Sequence, residues 1–240
     1  MIRGTKIERV SEAKFLGVWL DDKINFNKQY DTLRRKLITA TNALICTKNT
    51  LNFKSKLLFY HSHFKSHLDY CAITYFDKLN KAQINKLFKL QKQSLRLIFN
   101  AKKKVHTNKF FKLTELIPLP LLYETESIKF AYKYMGELQR PHQPKALRDI
   151  IIRNEIGQTR HSKDPTLLKI QSNINKDHCI YNILNKWNSA DEKLRCAGNS
   201  YILNIMIKEH YLDNLAKCQE HKCYMCKLDE NWDYEKYINN

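Results

Sequence analysis

The strongest constraint on the fold is a helical repeat of apolar side chains set inside a block of cations. Phe26, Tyr30, Leu33, Leu37, Ala40 and Leu44 recur at steps of four and three, the pattern of a helix that buries one stripe. After a break at Asn49, Thr50 and Asn52 the pattern returns as Phe53, Leu57, Tyr60, Phe64 and Leu68. A third helix is predicted from about Lys81 to Asn100, with Ile84, Leu87, Phe88, Leu95 and Ile98 inward. Only 5 Gly and 5 Pro occur in 240 residues, too few for the many tight reversals of a β-sandwich or barrel. With 43% apolar residues the chain can bury one large or two small cores. The expected fold class is mainly α: a small N-terminal β-hairpin, a helical bundle and a C-terminal helical region.

The hairpin is expected from two short runs containing Val, Ile, Phe and Trp, Ile7 to Val10 and Lys14 to Leu20, separated by Ser11 and Glu12. Gly17 within the second run marks a close backbone approach. Toward the C-terminus, Leu121, Ile128, Tyr132, Met135 and Leu138 predict a helix that starts at Pro118 and Pro120 and stops before Pro141. Periodicity fades from about Arg140 to Asn175, where a loop or linker is expected. Two further helices are predicted, Cys179 to Trp187 and Ser200 to Leu215. In the second, Ser200 is the expected cap and Ile202, Ile205, Met206 and Leu212 the inner face.

Charge divides the chain more sharply than hydropathy does. Residues 1–22 hold 4 basic and 4 acidic side chains, residues 23–113 hold 20 and 3, and residues 114–240 hold 18 and 17. Nearly all of the net charge of +18 therefore lies in one block. A field of that sign attracts polyanions, and nucleic acid is the partner expected first. Arg34, Arg35 and Lys36 flank the first stripe, while Lys86, Lys89, Lys92 and Arg96 point to water on the third helix and Lys102, Lys103 and Lys104 follow it. Asp77 is the only carboxylate between residues 76 and 113, against 11 basic residues, and unpaired like charges at helical spacing fit a phosphate track.

The opening residues MIRGTKIERV lack the apolar core of a signal peptide. The longest apolar stretch, Leu116 to Tyr123, has 8 residues and contains Pro118 and Pro120, so neither a membrane span nor a membrane partner is expected. Seven scattered cysteines make no secreted disulfide framework, and a reducing compartment, nucleus or cytoplasm, is expected. Cys218, His221, Cys223 and Cys226 could hold zinc, but they lack the long interval of a finger; free thiols beside a surface histidine is the preferred reading. Of His61, His63 and His67 only the last two share a helix face, and a surface or core role is preferred for them. The Trp19-Leu20-Asp21-Asp22 string has the form of a polymerase metal motif, yet only Glu8 and Glu12 precede it. Asp21 and Asp22 are read as residues that end a strand and cap the first helix. No phosphate loop, nucleophile elbow or HExxH helix occurs, so no catalytic residue is assigned.

Several strings together resemble the end of a family's polymerase domain. Lys14-Phe-Leu-Gly-Val-Trp-Leu-Asp21 is followed by Ile24-Asn-Phe26, then Phe59-Tyr60, His67-Leu-Asp-Tyr-Cys71, Leu90-Gln-Lys with Leu95-Arg-Leu-Ile98, Glu115-Leu with Pro118-Leu119, Thr159-Arg-His161, and Trp187-Asn-Ser189 with Leu194-Arg195. In this order they resemble the C-terminal part of a non-LTR (LINE-type, jockey-like) retrotransposon reverse transcriptase. The resemblance implies a palm-end hairpin over residues 1–22, a basic helical thumb over 23–113, a helical extension over 114–139, a linker over 140–175 and a helical region over 176–240. It implies that Phe15, Leu16 and Gly17 form a primer grip and that the basic residues contact an RNA/DNA hybrid or duplex backbone.

The full-length family enzyme uses Mg2+, which catalytic palm carboxylates hold. Those carboxylates, with the fingers, are expected to precede Met1, and the missing fingers and palm would then be partners of this chain. The expected function is a nucleic-acid-gripping fragment that is inactive alone. The alternatives are a stand-alone RNA- or DNA-binding protein, and a complete reverse transcriptase whose upstream region lies outside this sequence.

Overall fold

The computed structural model describes residues 10–103, 105–134, 151–153, 168–170 and 179–216. The chain is mainly helical with a small antiparallel hairpin near its N-terminus. It divides into two compact units, one ending at Val105 and the other starting at His106.

In the first unit, strands β1 (Glu12–Phe15) and β2 (Val18–Asp21) pair antiparallel with Phe15 opposite Val18 and Glu12 opposite Asp21. The reversal falls at Leu16 and Gly17, not at Ser11 and Glu12. Both turn residues have positive φ, 45° and 85°, the requirement of a two-residue turn whose twist matches the strands. The run from Lys14 to Leu20 thus folds back on itself, because Gly17 supplies a conformation that a continuous strand has no use for.

Helix α1 (Asn27–Cys46) buries Tyr30, Leu33, Leu37, Ala40 and Leu44 as its spacing predicts. Its entry is set by Asp21, whose Oδ1 accepts from the Lys23 and Asn25 amides at 3.0 and 2.9 Å and whose Oδ2 accepts from the Phe26 amide at 2.8 Å. Helix α2 (Phe53–Phe59) starts at Asn52, whose side chain accepts from the Ser55 amide. It continues through a π-helical segment, Tyr60–Lys65, into α3 (Ser66–Asp69). Lys56, Tyr60, Phe64 and Leu68, four apart, are all buried. In an α-helix of 3.6 residues per turn that spacing would drift around the axis, and the wider π turn keeps the four on one side.

A short helix α4 (Ala72–Tyr75) and a 3₁₀ turn, Phe76–Lys78, lead to α5 (Lys81–Ile98), which starts in a reciprocal capping box of Asn80 and Gln83. Helix α5 packs on α1 through Leu87, Leu95 and Ile98, each contributing about 1.5–3 kcal/mol by leaving water. Ile84 and Phe88, expected inward, are only half-buried. Two polar contacts fix the register of this core: Thr41 Oγ1 meets Ser94 Oγ at 3.1 Å, and Gln91 Nε2 donates to the Tyr60 hydroxyl at 3.3 Å.

The second unit holds α6 (Asn108–Thr114), α7 (Leu119–Tyr134), α8 (Cys179–Ser189), α9 (Glu192–Arg195) and α10 (Ser200–Ala216). Helix α7 packs on α8, and α10 packs on α6 and α7. Inside the stretch read as a linker, β3 (Ile151–Arg153) pairs antiparallel with β4 (Leu168–Ile170). The inner faces differ from expectation. In α7 Ile128 and Tyr132 are inside as expected, joined by Leu119, Leu122 and Ala131, while Leu121 is half-buried and Met135 and Leu138 lie outside the described residues. In α10 Leu203, Ile207 and Leu212 are inside while Ile202 and Ile205 are exposed, a phase shift of one residue. The cap of α10 is Asn199, which accepts from the Ile202 amide at 2.9 Å, rather than Ser200. Trp187 is buried, and Arg195 donates to the carbonyls of Asn188 and Ala190 to close the corner between α8 and α9.

Candidate nucleic-acid interface

The cations of α5 fall on its outer side. Leu87, Gln91, Ser94, Leu95 and Ile98 face the core, so successive steps of three and four carry Lys86, Lys89, Lys92 and Arg96 around the opposite side. Lys86 and Lys89 are exposed. Lys92 is half-buried with its ammonium 4.1 Å from the centroid of the Phe88 ring. Burial, reinforced by the nearby Arg96 charge, holds that ammonium below the ordinary lysine range. Arg96 is also half-buried and donates from Nε to the Val105 carbonyl at 2.9 Å, so one edge of its guanidinium ties down the chain after the helix. Lys102 and Lys103 are exposed there, and Lys104 lies outside the described residues.

Arg34, Arg35 and Lys36 are exposed on α1 but do not form a single row. Consecutive helical residues stand about 100° apart, so the three splay around the axis. Lys36 alone turns to the hairpin side, where it lines a cavity of about 290 Å³ together with Lys14, Gly17 and His67. None of Arg34, Arg35, Lys36, Lys86, Lys89, Lys92, Arg96, Lys102 and Lys103 makes an ion pair among the described residues. The second unit is different: Glu115 holds Lys208, Glu124 holds Lys186, Glu126 holds Lys129 and Asp213 holds Lys112. In the first unit Lys28, Lys65 and Lys78 are paired too, with Glu12, Asp69 and Asp77, so it is the cations of α5 and the run Arg34, Arg35 and Lys36 that meet no carboxylate among the described residues.

Phe15, Leu16 and Gly17 form the tip of the hairpin. Phe15 and Leu16 are 64% and 74% exposed, which leaves their side chains available to a partner. The tip is anchored from below by Tyr70, whose hydroxyl donates to the Leu16 carbonyl at 2.5 Å. A side chain at position 17 would bring its Cβ within 3.3 Å of the Tyr70 ring. Gln29 makes a second tie, its Oε1 accepting from the Trp19 amide at 3.1 Å, and Lys28 caps the Trp19 ring at 3.8 Å while pairing with Glu12. Sequence spacing alone did not single out Tyr70 or Gln29. Their roles depend on the hairpin folding back onto α1 and α3.

The carboxylates near the hairpin do not fit a two-metal site. Both oxygens of Asp21 are committed to backbone amides, which hold its carboxyl below the usual carboxylate range, the Asn25 amide contributing most. Glu12, directly across the ladder, is committed to Lys28. Among the described residues no group of three or more His, Cys, Asp and Glu side chains converges as a metal site would require. The possible zinc set Cys218, His221, Cys223 and Cys226 lies outside the described residues. Cys46, Cys179 and Cys196 are exposed. His63 stacks on Phe59 at 4.3 Å and its Nδ1 meets Ser62 Oγ at 2.7 Å, while His67 lines the cavity. No described helix is long and apolar enough to cross a membrane.

Comparison of the chain with models of known protein families, with curated proteins and with solved structures gives no match.

Proposed function

We propose that the first unit grips the phosphate backbone of a nucleic-acid duplex, in the manner of a polymerase thumb, and that the chain copies no nucleic acid by itself. The observation that carries this reading is the row of cations on the outer side of α5, none of which meets a carboxylate among the described residues. Unpaired ammonium groups repel one another, and phosphates relieve that repulsion while releasing counterions. Non-LTR retrotransposon reverse transcriptases are the family this reading favours, on the string matches from Lys14 to Arg195. The hairpin tip Phe15-Leu16-Gly17 would lie against the primer strand.

The test is duplex binding across a salt series. With about six phosphates neutralised, log affinity falls against log salt with a slope of roughly −5. A flat response overturns the backbone grip. Primer extension by the purified chain, with any divalent metal, overturns the second half of the proposal.

A further inference from the structure

The cavity beneath the hairpin tip has a chemistry that the outer face of α5 does not share. Its walls come from three places: Lys14 and Gly17 of the hairpin, Thr32 and Lys36 of α1, and His67 and Tyr70 at the end of the long helix. No carboxylate lines it. The side chains of Lys14, Thr32 and Lys36 make no hydrogen bond or ion pair among the described residues, and neither ring nitrogen of His67 is hydrogen-bonded there. By contrast the Tyr70 hydroxyl is already spent on the Leu16 carbonyl, and that bond fixes the roof of the cavity over its floor. The side chains of Lys14, Thr32, Lys36 and His67, none hydrogen-bonded or ion-paired among the described residues, thus line one space that no described carboxylate shares.

We propose that this cavity is a phosphomonoester pocket, taking the terminal phosphate of a nucleic-acid strand or of a free nucleotide. An acceptor-only dianion is what free donors without an acceptor complement, and charge-assisted bonds of this kind are about twice as strong as neutral ones. The volume, about 290 Å³, exceeds what a bare phosphate needs and lies at the small end of ligand pockets, leaving room for the attached sugar. Walls on three sides suit a chain end better than a strand passing through. Burial, with the nearby Lys36 and His63 adding to it, pushes the His67 imidazole below the ordinary histidine range. A bound dianion reverses that balance, so phosphate uptake carries a proton with it. The strand-end form rests on the backbone-grip reading; the phosphate chemistry of the pocket does not.

The test uses the full chain and matched oligonucleotides bearing a 5′-phosphate or a 5′-hydroxyl. The phosphate is expected to tighten binding about tenfold, the worth of one charge-assisted contact, and Lys36→Gln with Lys14→Gln is expected to erase the preference. Adenosine 5′-monophosphate and inorganic phosphate, titrated into the unaltered chain, are expected to raise its melting temperature, a readout that needs no variant. A gain from the 5′-phosphate that Lys36→Gln with Lys14→Gln erases assigns the pocket to strand ends, and a thermal shift from the mononucleotide without such a gain assigns it to free nucleotides. Equal affinity for the 5′-phosphate and 5′-hydroxyl strands, with no thermal shift from either small phosphate, overturns the pocket. A flat salt slope in duplex binding overturns the backbone grip separately.

Discussion

Asp21 shows how a residue that reads as catalytic can be structural. Its carboxylate gathers three amides that would otherwise be left over where the strand gives way to α1, a job comparable to a helix cap. Asp21→Ala is therefore expected to cost about 1 kcal/mol at neutral pH, read as a lower midpoint in urea. Because the amides lower its pKa in the folded state, its contribution is present above the ordinary value of 3.8 and is lost as pH falls through the lowered one. Variant and parent should then converge in acid; a gap that persists there would show that the amides are not the source.

Lys56 is the opposite case, a charge inside with only a neutral partner. It is 2% exposed and its ammonium donates to Asn100 Oδ1 at 2.9 Å, while burial, with Lys48 adding to it, holds its pKa below 10.5. Between the lowered value and 10.5 the unfolded chain binds more protons, so stability rises with pH in that window. Lys56→Met should leave stability unchanged or raise it by about 1 kcal/mol and flatten the alkaline rise, whereas a clear loss would mean that the Asn100 bond outweighs desolvation.

At the level of elements, what the sequence made legible depended on whether a helix buries one clean stripe. Helix α1 was readable because its apolar residues alternate at fours and threes with charge between them. Helix α10 was not, since Tyr201, Ile202, Leu203, Ile205, Met206 and Ile207 offer two candidate faces and only packing on α6 and α7 chooses between them. Asn199, immediately before the expected cap, takes the capping role because its side chain, and not that of Ser200, reaches the Ile202 amide. Asn199→Ala is expected to lower stability by about 1 kcal/mol and Ser200→Ala to change it little, as measured by thermal melts of the two variants. The hairpin was legible as a hairpin but misplaced along the chain. Apolar runs mark strands, and positive φ at Leu16 and Gly17 marks the reversal.

For the molecule as a whole, the decisive contrast is between a second unit in which Glu115, Glu124, Glu126 and Asp213 each hold a lysine and a row of cations on α5 that meets no carboxylate among the described residues. The charge count located the basic block, but which cations stand free became visible only once Arg96 was seen bonding Val105 and Lys92 lying on Phe88. Lys86 and Lys89 remain as the most exposed members of the α5 row. Replacing both with Gln should weaken duplex binding equally across sequences and flatten the salt slope by about 1.8, while sequence-dependent losses would point to base contacts instead.

The π segment from Tyr60 to Lys65 has a further consequence for how this chain tolerates change. It amounts to one extra residue in a helix, and it divides labour along that helix: Lys56, Tyr60 and Phe64 serve the core, while His67 and Tyr70 serve the hairpin. Loss of a single residue there would restore an ordinary α-helix whose tighter turn covers about the same rotation with one residue fewer, so Tyr70 would keep its place under the Leu16 carbonyl. Deletion of one residue between positions 60 and 65 should therefore be tolerated better than deletion of one in the α-helical turns on either side, where nothing absorbs a change of phase of about 100°, as thermal melts of the two deletions would show.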